Sequence, residues 1–322
     1  MLKRLLAGCL SVFFVAAAAA QEYPTRTINI VVPFAPGGPT DTVTRLVGQA
    51  MGKSLGQTMI VENVAGAGGT IGVEKVARAK PDGYTLLLMH IGISTAPSLY
   101  RSLPFDPVKD LEPVGLVTNV PMTVIGNKDF APKDMKELIA YVKANKDKVT
   151  YANAGVGAAS HLCGMLLMTA MQTDVTTVPY KGTAPAMTDV LGGQVNFMCD
   201  QTTNTTPQIK GGKVKAYAVT TKQRLKTMPD VPTVDESGLK GFEVTVWHGI
   251  WAPHGTPKPI IDKLAKALQA ALRDPAIVAR FAELGTEPVP QEQATPAALG
   301  AHLKSEIAKW APIIKKAGIY AD

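Results

Sequence analysis

The chain has 322 residues, which at about 150 residues per domain predicts two domains. Hydrophobic residues make up 46% and charged residues 18%, a composition that can bury a core and excludes wholesale disorder. With 29 Gly, 24 Pro and 3 Cys, collagen-like and disulfide-scaffold classes are excluded as well. The formal net charge of +7 is not concentrated in a dense Lys/Arg stripe, so nucleic acid is not an expected partner.

Residues 1–20 predict a secretory signal peptide. Lys3 and Arg4 form a short basic start, the stretch 5–20 is apolar or small apart from one serine, and three alanines precede the expected cleavage after Ala20. The sequence around Cys9 resembles a lipoprotein box, but the apolar stretch continues past it, so a lipid anchor is not expected. After cleavage the mature chain has 31 basic and 26 acidic residues. The signal peptide predicts that the protein is periplasmic.

In the remaining chain, β-branched runs alternate with helical stretches, which predicts an α/β fold with a mixed, mostly parallel sheet and helices on both faces. The predicted strands are 27–33, 59–62, 84–90, 114–126, 149–152, 175–179, 195–199 and 214–220. The predicted helices are 40–55, 70–79, 132–144, 160–171, 184–191, 257–272, 275–284 and 297–317.

Two chain crossings between lobes are expected, at 117–125 and 244–252. They predict one lobe made of residues 21–121 and 250–322, and a second lobe made of residues 122–249. A monomer is expected.

Glycines and small polar residues cluster where a predicted strand ends and a helix begins. These turns are 33–41, 63–70, 92–95, which contains Gly92 and Ser94, 153–160, 181–183 and 200–204. Ligands of parallel sheets bind at the carboxyl ends of strands. Helix N-termini there offer unpaired N–H groups to an anion, and glycine lets the backbone approach it. Lys181 is the only formal cation in the six turns, so the pattern favours a carboxylate held mainly by N–H and hydroxyl groups.

Each of these residues also has a purely structural interpretation. Gly37 and Gly38 are typical of turns and helix caps. Asp41 and Ser160 are placed to cap helices. Lys181 can be an ordinary exposed lysine, because such lysines are common in loops.

Enzyme motifs are largely absent. The spacing G-x-G-x-x-x-G from Gly66 to Gly72 is only a weak dinucleotide signal. The sequence has no Walker A loop, no G-x-S-x-G elbow and no H-E-x-x-H pair among its 5 histidines. No catalytic residue, cofactor or metal is expected.

Two cysteines remain after cleavage, Cys163 and Cys199. An oxidising compartment favours a disulfide between them, and two buried free thiols are the alternative.

Several ordered motifs resemble those of the tripartite tricarboxylate transporter substrate-binding proteins, also called Bug receptors. The motifs are IVVPFAPGGPTD (30–41), VENVAGAGGTIG (61–72), PDGYTL (81–86), VPYKG (178–182), DVLGGQV (189–195) and DVPT (230–233). The resemblance covers essentially the whole mature chain.

This resemblance implies a two-lobed periplasmic binding protein of type II, the Venus-flytrap class. It implies a non-enzymatic receptor that captures a small organic acid, carboxylate or dicarboxylate, and delivers it to a two-component membrane permease. The implied ligand-binding residues are Phe34, Ala35, Gly37, Gly38, Thr40 and Asp41 in the first lobe, and Gly157, Ala159, Ser160, Lys181, Gly182, Thr183 and Asp200 in the second. An exported enzyme acting on an organic acid and a ligand-sensing partner of a membrane signalling protein are the alternatives.

Overall fold

The computed structural model describes residues 23–318 and 320–321, so the predicted signal peptide and Cys9 lie outside the described residues. The strands are β1 (Ile28–Val32), β2 (Met59–Asn63), β3 (Thr85–His90), β4 (Leu111–Asn127), β5 (Thr150–Asn153), β6 (Thr176–Pro179), β7 (Phe197–Gln201), β8 (Val214–Val219), β9 (Thr245–Pro253) and β10 (Glu287–Pro288). The helices are α1 (Pro39–Leu55), α2 (Thr70–Ala77), α3 (Gly92–Leu99), α4 (Met135–Ala144), α5 (Ala159–Met171), α6 (Thr183–Leu191), α7 (Thr202–Lys210), α8 (Lys258–Arg273), α9 (Pro275–Glu283) and α10 (Pro296–Ala317).

The sheet has two halves that share the long strand β4. The strand order is β2-β1-β3-β9-β4 in the first half and β4-β7-β5-β6 in the second, and β8 and β10 also pair with β4. β4 pairs with β9 as far as Pro121 and with β7 from Met122 onward. Each half carries its own helices, and together they form the two lobes of the molecule.

The α/β fold class is confirmed, but antiparallel pairing is more extensive than the sequence predicts. Four pairings between the described strands are parallel, those of β1 with β2 and β3 and of β5 with β6 and β7. Five are antiparallel, and each of these involves β4 or β9. The reason is that β4 extends through both lobes and β9 returns against it. The strands that precede most of the predicted ligand turns remain parallel within each lobe.

The inner strands of the first lobe are covered on both faces over most of their length, which explains their apolar runs. Ile30, Val31 and Val32 in β1 and Leu86–Met89 in β3 are almost fully buried. Helix α1 packs over them, begins with a proline at its first turn and ends at Gly56, whose φ of 68° is left-handed. None of the helices in the described part of the chain is long and apolar enough to cross a membrane.

Helices α3 and α7 are absent from the sequence-based prediction, which has turns at their N-termini. Helix α3 contains one Gly, two Ser and one Thr, and α7 contains four Thr and one Asn. Each also contains a proline, Pro97 in α3 and Pro207 in α7, so their intrinsic helix propensity is low. In α7, buried threonine side chains form tertiary hydrogen bonds that compensate for the low helix propensity. The Thr202 hydroxyl donates to the Gly285 carbonyl at 2.9 Å and the Thr206 hydroxyl to the Leu284 carbonyl at 3.2 Å. Tertiary hydrogen bonds therefore stabilise a helix that local sequence does not predict.

Candidate ligand-binding site

The two lobes enclose a small pocket, which we call the interlobe cavity, with a cavity volume of about 20 Å³. Its lining residues are Phe34, Gly38, Pro39, Thr40, Asp41 and His90 from the first lobe and Ala154, Ala159, Ser160, Thr183, Asp200 and Gln201 from the second. Most of them follow the carboxyl ends of β1, β5, β6 and β7, as expected for a ligand site of an α/β sheet.

Four helix N-termini converge on the interlobe cavity. Helices α1, α5 and α6 begin at the lining residues Pro39, Ala159 and Thr183, and α7 begins directly after the lining residue Gln201. In none of the four does the N-cap side chain accept a hydrogen bond from the helix. Since each N-terminus carries a partial positive charge and unpaired N–H groups, the arrangement attracts an anion. The cavity lining contains no lysine or arginine from the described residues.

The second-lobe wall of the cavity contains three polar side-chain atoms that have no hydrogen-bond partner among residues 23–318 and 320–321. They are the Thr183 hydroxyl, Asp200 Oδ1 and Gln201 Oε1, and the residues that carry them are no more than 6% exposed. Leaving such groups unpaired costs free energy comparable to that of a lost hydrogen bond. A polar ligand would supply the missing partners.

A cluster of three aromatic rings, those of Phe34, His90 and His248, lies at the first-lobe wall. The His90 ring stacks on Phe34 with centroids 4.7 Å apart and meets the His248 ring edge-on at 5.9 Å. Burial lowers the pKa of His90 to about 4, and burial together with His90 holds the pKa of His248 well below its ordinary value. His90 Nδ1 accepts a hydrogen bond from the Gly92 N–H at 3.0 Å, so the neutral ring carries its proton on Nε2 as a donor.

Asp41 shapes the first-lobe loop. Its carboxylate accepts hydrogen bonds from the Gly37 N–H at 2.9 Å, from Arg45 Nε at 2.8 Å and from Asn63 Nδ2 at 2.9 Å. Burial opposes ionisation, but these hydrogen bonds and the Arg45 charge hold the pKa of Asp41 below its ordinary value. With its oxygens engaged in this way, Asp41 lines the cavity mainly as a support for the loop and the start of α1.

The lobes touch around the rim of the cavity. The Ala35 N–H donates to the Lys181 carbonyl at 2.9 Å, and the Tyr100 hydroxyl lies 2.7 Å from the Ala67 carbonyl oxygen and 3.0 Å from that of Val156. Two of these contacts, Ala35 to Lys181 and Tyr100 to Val156, join opposite lobes and are characteristic of a closed state.

The sequence-predicted site residues divide into two groups. Phe34, Gly38, Thr40, Asp41, Ala159, Ser160, Thr183 and Asp200 line the interlobe cavity. The others lie at its rim or behind its wall, namely Ala35, Gly37, Gly92, Ser94, Gly157, Lys181 and Gly182. Among these, the Ser94 hydroxyl donates to the Ile91 carbonyl at 2.7 Å. Lys181 is exposed and borders a separate groove beside Gly68 and Tyr100.

Sequence reasoning missed four lining residues: Pro39, His90, Ala154 and Gln201. His90 is the last residue of β3, and its position at a strand end just before a glycine turn is the signal that indicates it in retrospect.

Cys163 and Cys199 form a disulfide in the structure. The bond ties α5 to β7, three residues beyond Ser160 and one residue before Asp200. The described residues include no cluster of three or more His, Cys, Asp or Glu side chains that could hold a metal ion.

Comparisons with known proteins agree with this geometry. A family model described as "Tripartite tricarboxylate transporter family receptor" matches residues 43–319. The periplasmic binding protein BugD has 58% sequence identity and a TM-score of 0.91, with 92% of this chain and 99% of BugD covered.

Two further solved structures are similar and contain ligands. MatC from Rhodopseudomonas palustris, solved with bound malate, is 43% identical with a TM-score of 0.88, and 91% of this chain and 100% of MatC are covered. Another R. palustris protein, solved with adipate, is 32% identical with a TM-score of 0.88, and 93% of this chain and 99% of that protein are covered.

Proposed function

This chain belongs to the tripartite tricarboxylate transporter receptor family, and on that premise we propose that it captures a dicarboxylic acid in the interlobe cavity and delivers it to a two-component membrane permease. The family expected from the sequence motifs is thus confirmed. Members of this family are periplasmic solute-binding proteins, so binding rather than chemical conversion is the expected activity.

One observation carries the proposal. Four uncapped helix N-termini point into a cavity whose lining contains no lysine or arginine among the described residues. Helix ends and hydroxyls bind a carboxylate through several charge-assisted hydrogen bonds. Three of the N-termini, those of α5, α6 and α7, face the cavity from the second lobe and one, that of α1, from the first lobe, so closure brings donors to an anion from both sides.

Two carboxylates, rather than one, are favoured by the distribution of donors. The first lobe offers the start of α1 and His90, and the second lobe offers α5, α6 and α7 together with unpartnered Thr183. The malate in MatC and the adipate in the second R. palustris protein are both dicarboxylates, which supports the same ligand class here.

The lobe boundaries and export remain part of the proposal. The change of partner in β4 between Pro121 and Met122 supports a boundary after residue 121. β9 pairs with β4 from Thr245 onward, which favours a return crossing a few residues before 250. Export through the predicted signal peptide, cleaved after Ala20, would place the receptor in the periplasm.

A ligand screen tests the proposed function. Mature protein, residues 21–322, is mixed with mono-, di- and tricarboxylates, including malate and adipate, and unfolding temperature and binding heat are measured. We expect at least one dicarboxylate to bind with a Kd near the micromolar range, about −8 kcal/mol, and to be recovered unchanged. Matched amides that lack the carboxylate charge serve as controls and should bind at least about a hundredfold more weakly.

Two results would contradict the proposal. Chemical turnover of a bound acid would favour the exported-enzyme alternative, and a failure of every organic acid to bind would remove the carboxylate interpretation of the cavity. Deletion of the gene should abolish uptake of the identified acid, whereas loss of a signalling response with uptake intact would favour the sensing alternative.

A further inference from the structure

The interlobe cavity contains a carboxyl group that an anionic ligand has to accommodate. Asp200 is fully buried near the end of β7, beside the start of α7. Its Oδ2 accepts a hydrogen bond from Asn204 Nδ2 at 2.6 Å, whereas Oδ1 has no hydrogen-bond partner in the described part of the chain. Asp200 lines the same wall as the Thr183 hydroxyl and Gln201 Oε1, which are also unpartnered.

The titratable groups around Asp200 provide no positive charge. Asp41, across the cavity on α1, is engaged with Arg45 and Asn63. His90 on β3 and His248 on β9 are held neutral by burial. Tyr151 on β5 is fully buried, and its hydroxyl donates to the Ser160 carbonyl at 2.6 Å. Lys181, which precedes α6, is exposed and lies outside the cavity lining.

An ionised Asp200 would therefore face an anionic ligand without a counter-ion, at a fully buried position. Keeping two neighbouring buried carboxylates ionised costs electrostatic free energy, because their repulsion is weakly screened there. Protonation removes the conflict and turns Oδ1 into a donor, because a protonated carboxyl group carries one O–H.

We propose that Asp200 contacts the ligand in its protonated form, donating from Oδ1 to the second carboxylate of a dicarboxylic acid, so that the closed complex contains one proton on Asp200. The inference rests on the proposed function and specifies how the second-lobe wall selects its ligand. An acid with two carboxylates gains a hydrogen bond there, whereas a ligand with a cationic group would require the ionised form of Asp200.

The proton state of Asp200 in the unliganded cleft agrees with this role. Burial raises the pKa of Asp200 to about 7. The Asn204 amide and the Gln201 N–H act in the opposite direction, and so does the Thr183 hydroxyl, which lies near Asp200 without forming a hydrogen bond to it. An adjacent ligand carboxylate raises the pKa further. Binding above pH 7 therefore takes up a proton, and affinity falls as pH rises, by up to about tenfold per pH unit until the pKa of the complex is reached.

The test is isothermal calorimetry with malate and adipate between pH 6.5 and 9, at each pH in two buffers of different ionisation enthalpy. The wild-type protein is expected to take up nearly one proton per ligand at pH 8 and to bind about tenfold more weakly at pH 9 than at pH 8. Asp200→Asn places a neutral N–H donor at the same position. It should bind within about fivefold of wild type at pH 7, with no proton uptake and a flat pH profile.

Asp189→Asn is the matched control, because Asp189 lies on α6 but outside the cavity lining and accepts a hydrogen bond from the Tyr180 hydroxyl. It should keep the wild-type pH dependence. Dicarboxylate binding without proton uptake, or a pH dependence that survives in Asp200→Asn, would overturn the inference and leave the proposed function intact. Failure of every organic acid to bind the wild-type protein would overturn both.

Discussion

Substituting Gly68 with alanine is expected to weaken ligand binding by about a hundredfold or more while leaving both lobes folded. Gly68 belongs to a 3₁₀ turn of the first lobe, and a Cβ atom there would lie 1.8 Å from the carbonyl oxygen of Val156 and 2.9 Å from its carbonyl carbon. Val156 is on the opposite lobe, in the loop before α5. Because the clash is with backbone atoms rather than a flexible side chain, the lobes cannot reach the closed position.

The size of the effect follows from the donors that closure contributes. Without closure the ligand loses two or more charge-assisted hydrogen bonds from α5, α6 and α7, or about 3–4 kcal/mol, which corresponds to roughly a hundredfold to a thousandfold in Kd. The clash itself does not occur in an open form, in which the two loops separate. The unfolding temperature of the unliganded protein should therefore change little.

Gly56→Ala is the matched control for Gly68→Ala. Gly56 has a similar left-handed φ, 68° against 59°, but its Cβ would have nothing within 4 Å. Both variants carry the same backbone strain, so only the interlobe contact differs. Calorimetry with the identified acid, with small-angle scattering to follow closure, measures the effect. Equal affinities for the two variants would refute the closed geometry described here.

Removing the disulfide is expected to have the largest effect on stability. Cys163 and Cys199 are 36 residues apart in sequence, and a cross-link closing a loop of this size stabilises a protein by about 2–4 kcal/mol. The double variant Cys163→Ala/Cys199→Ala should therefore unfold about 5–10 °C lower than the wild-type protein. Affinity should also decrease, since the bond fixes the start of α5 relative to Asp200.

A reductant provides the control for this variant. Treatment of the wild-type protein with a strong thiol reductant should lower its unfolding temperature by a similar amount and leave the double variant unchanged. If the double variant unfolds within about 1 °C of the oxidised wild-type protein, the disulfide makes no net contribution to stability.

Much of the fold can be predicted from local sequence, because hydrophobic periodicity and glycine turns are local signals. The strand β1 and helix α1 fall within a residue or two of their predicted ends. Helix α7 could not be predicted in this way, because its threonines are stabilised by hydrogen bonds to Leu284 and Gly285, about 80 residues away. The extent of antiparallel pairing depends on how β4 and β9 meet, which is also a long-range property.

The candidate site is partly predictable for the same reason. Turns after β1, β5, β6 and β7 are recognisable from composition, and residues from all four meet at the cavity. Which side chain points inward depends on the packing of the two lobes. Lys181 is conspicuous in sequence yet exposed in the fold, whereas His90 enters the cavity lining from the end of a buried strand. The unpaired Oδ1 of Asp200 becomes visible only when burial and hydrogen bonds are known.

The most direct test of the whole account is a crystal structure of the mature protein with the identified dicarboxylate bound. We predict that one carboxylate accepts N–H hydrogen bonds from at least two of the helices α1, α5, α6 and α7 inside the interlobe cavity, with no lysine or arginine side chain in contact. A ligand whose carboxylates pair with Lys181 or Arg45, or that binds outside this cavity, would contradict the account.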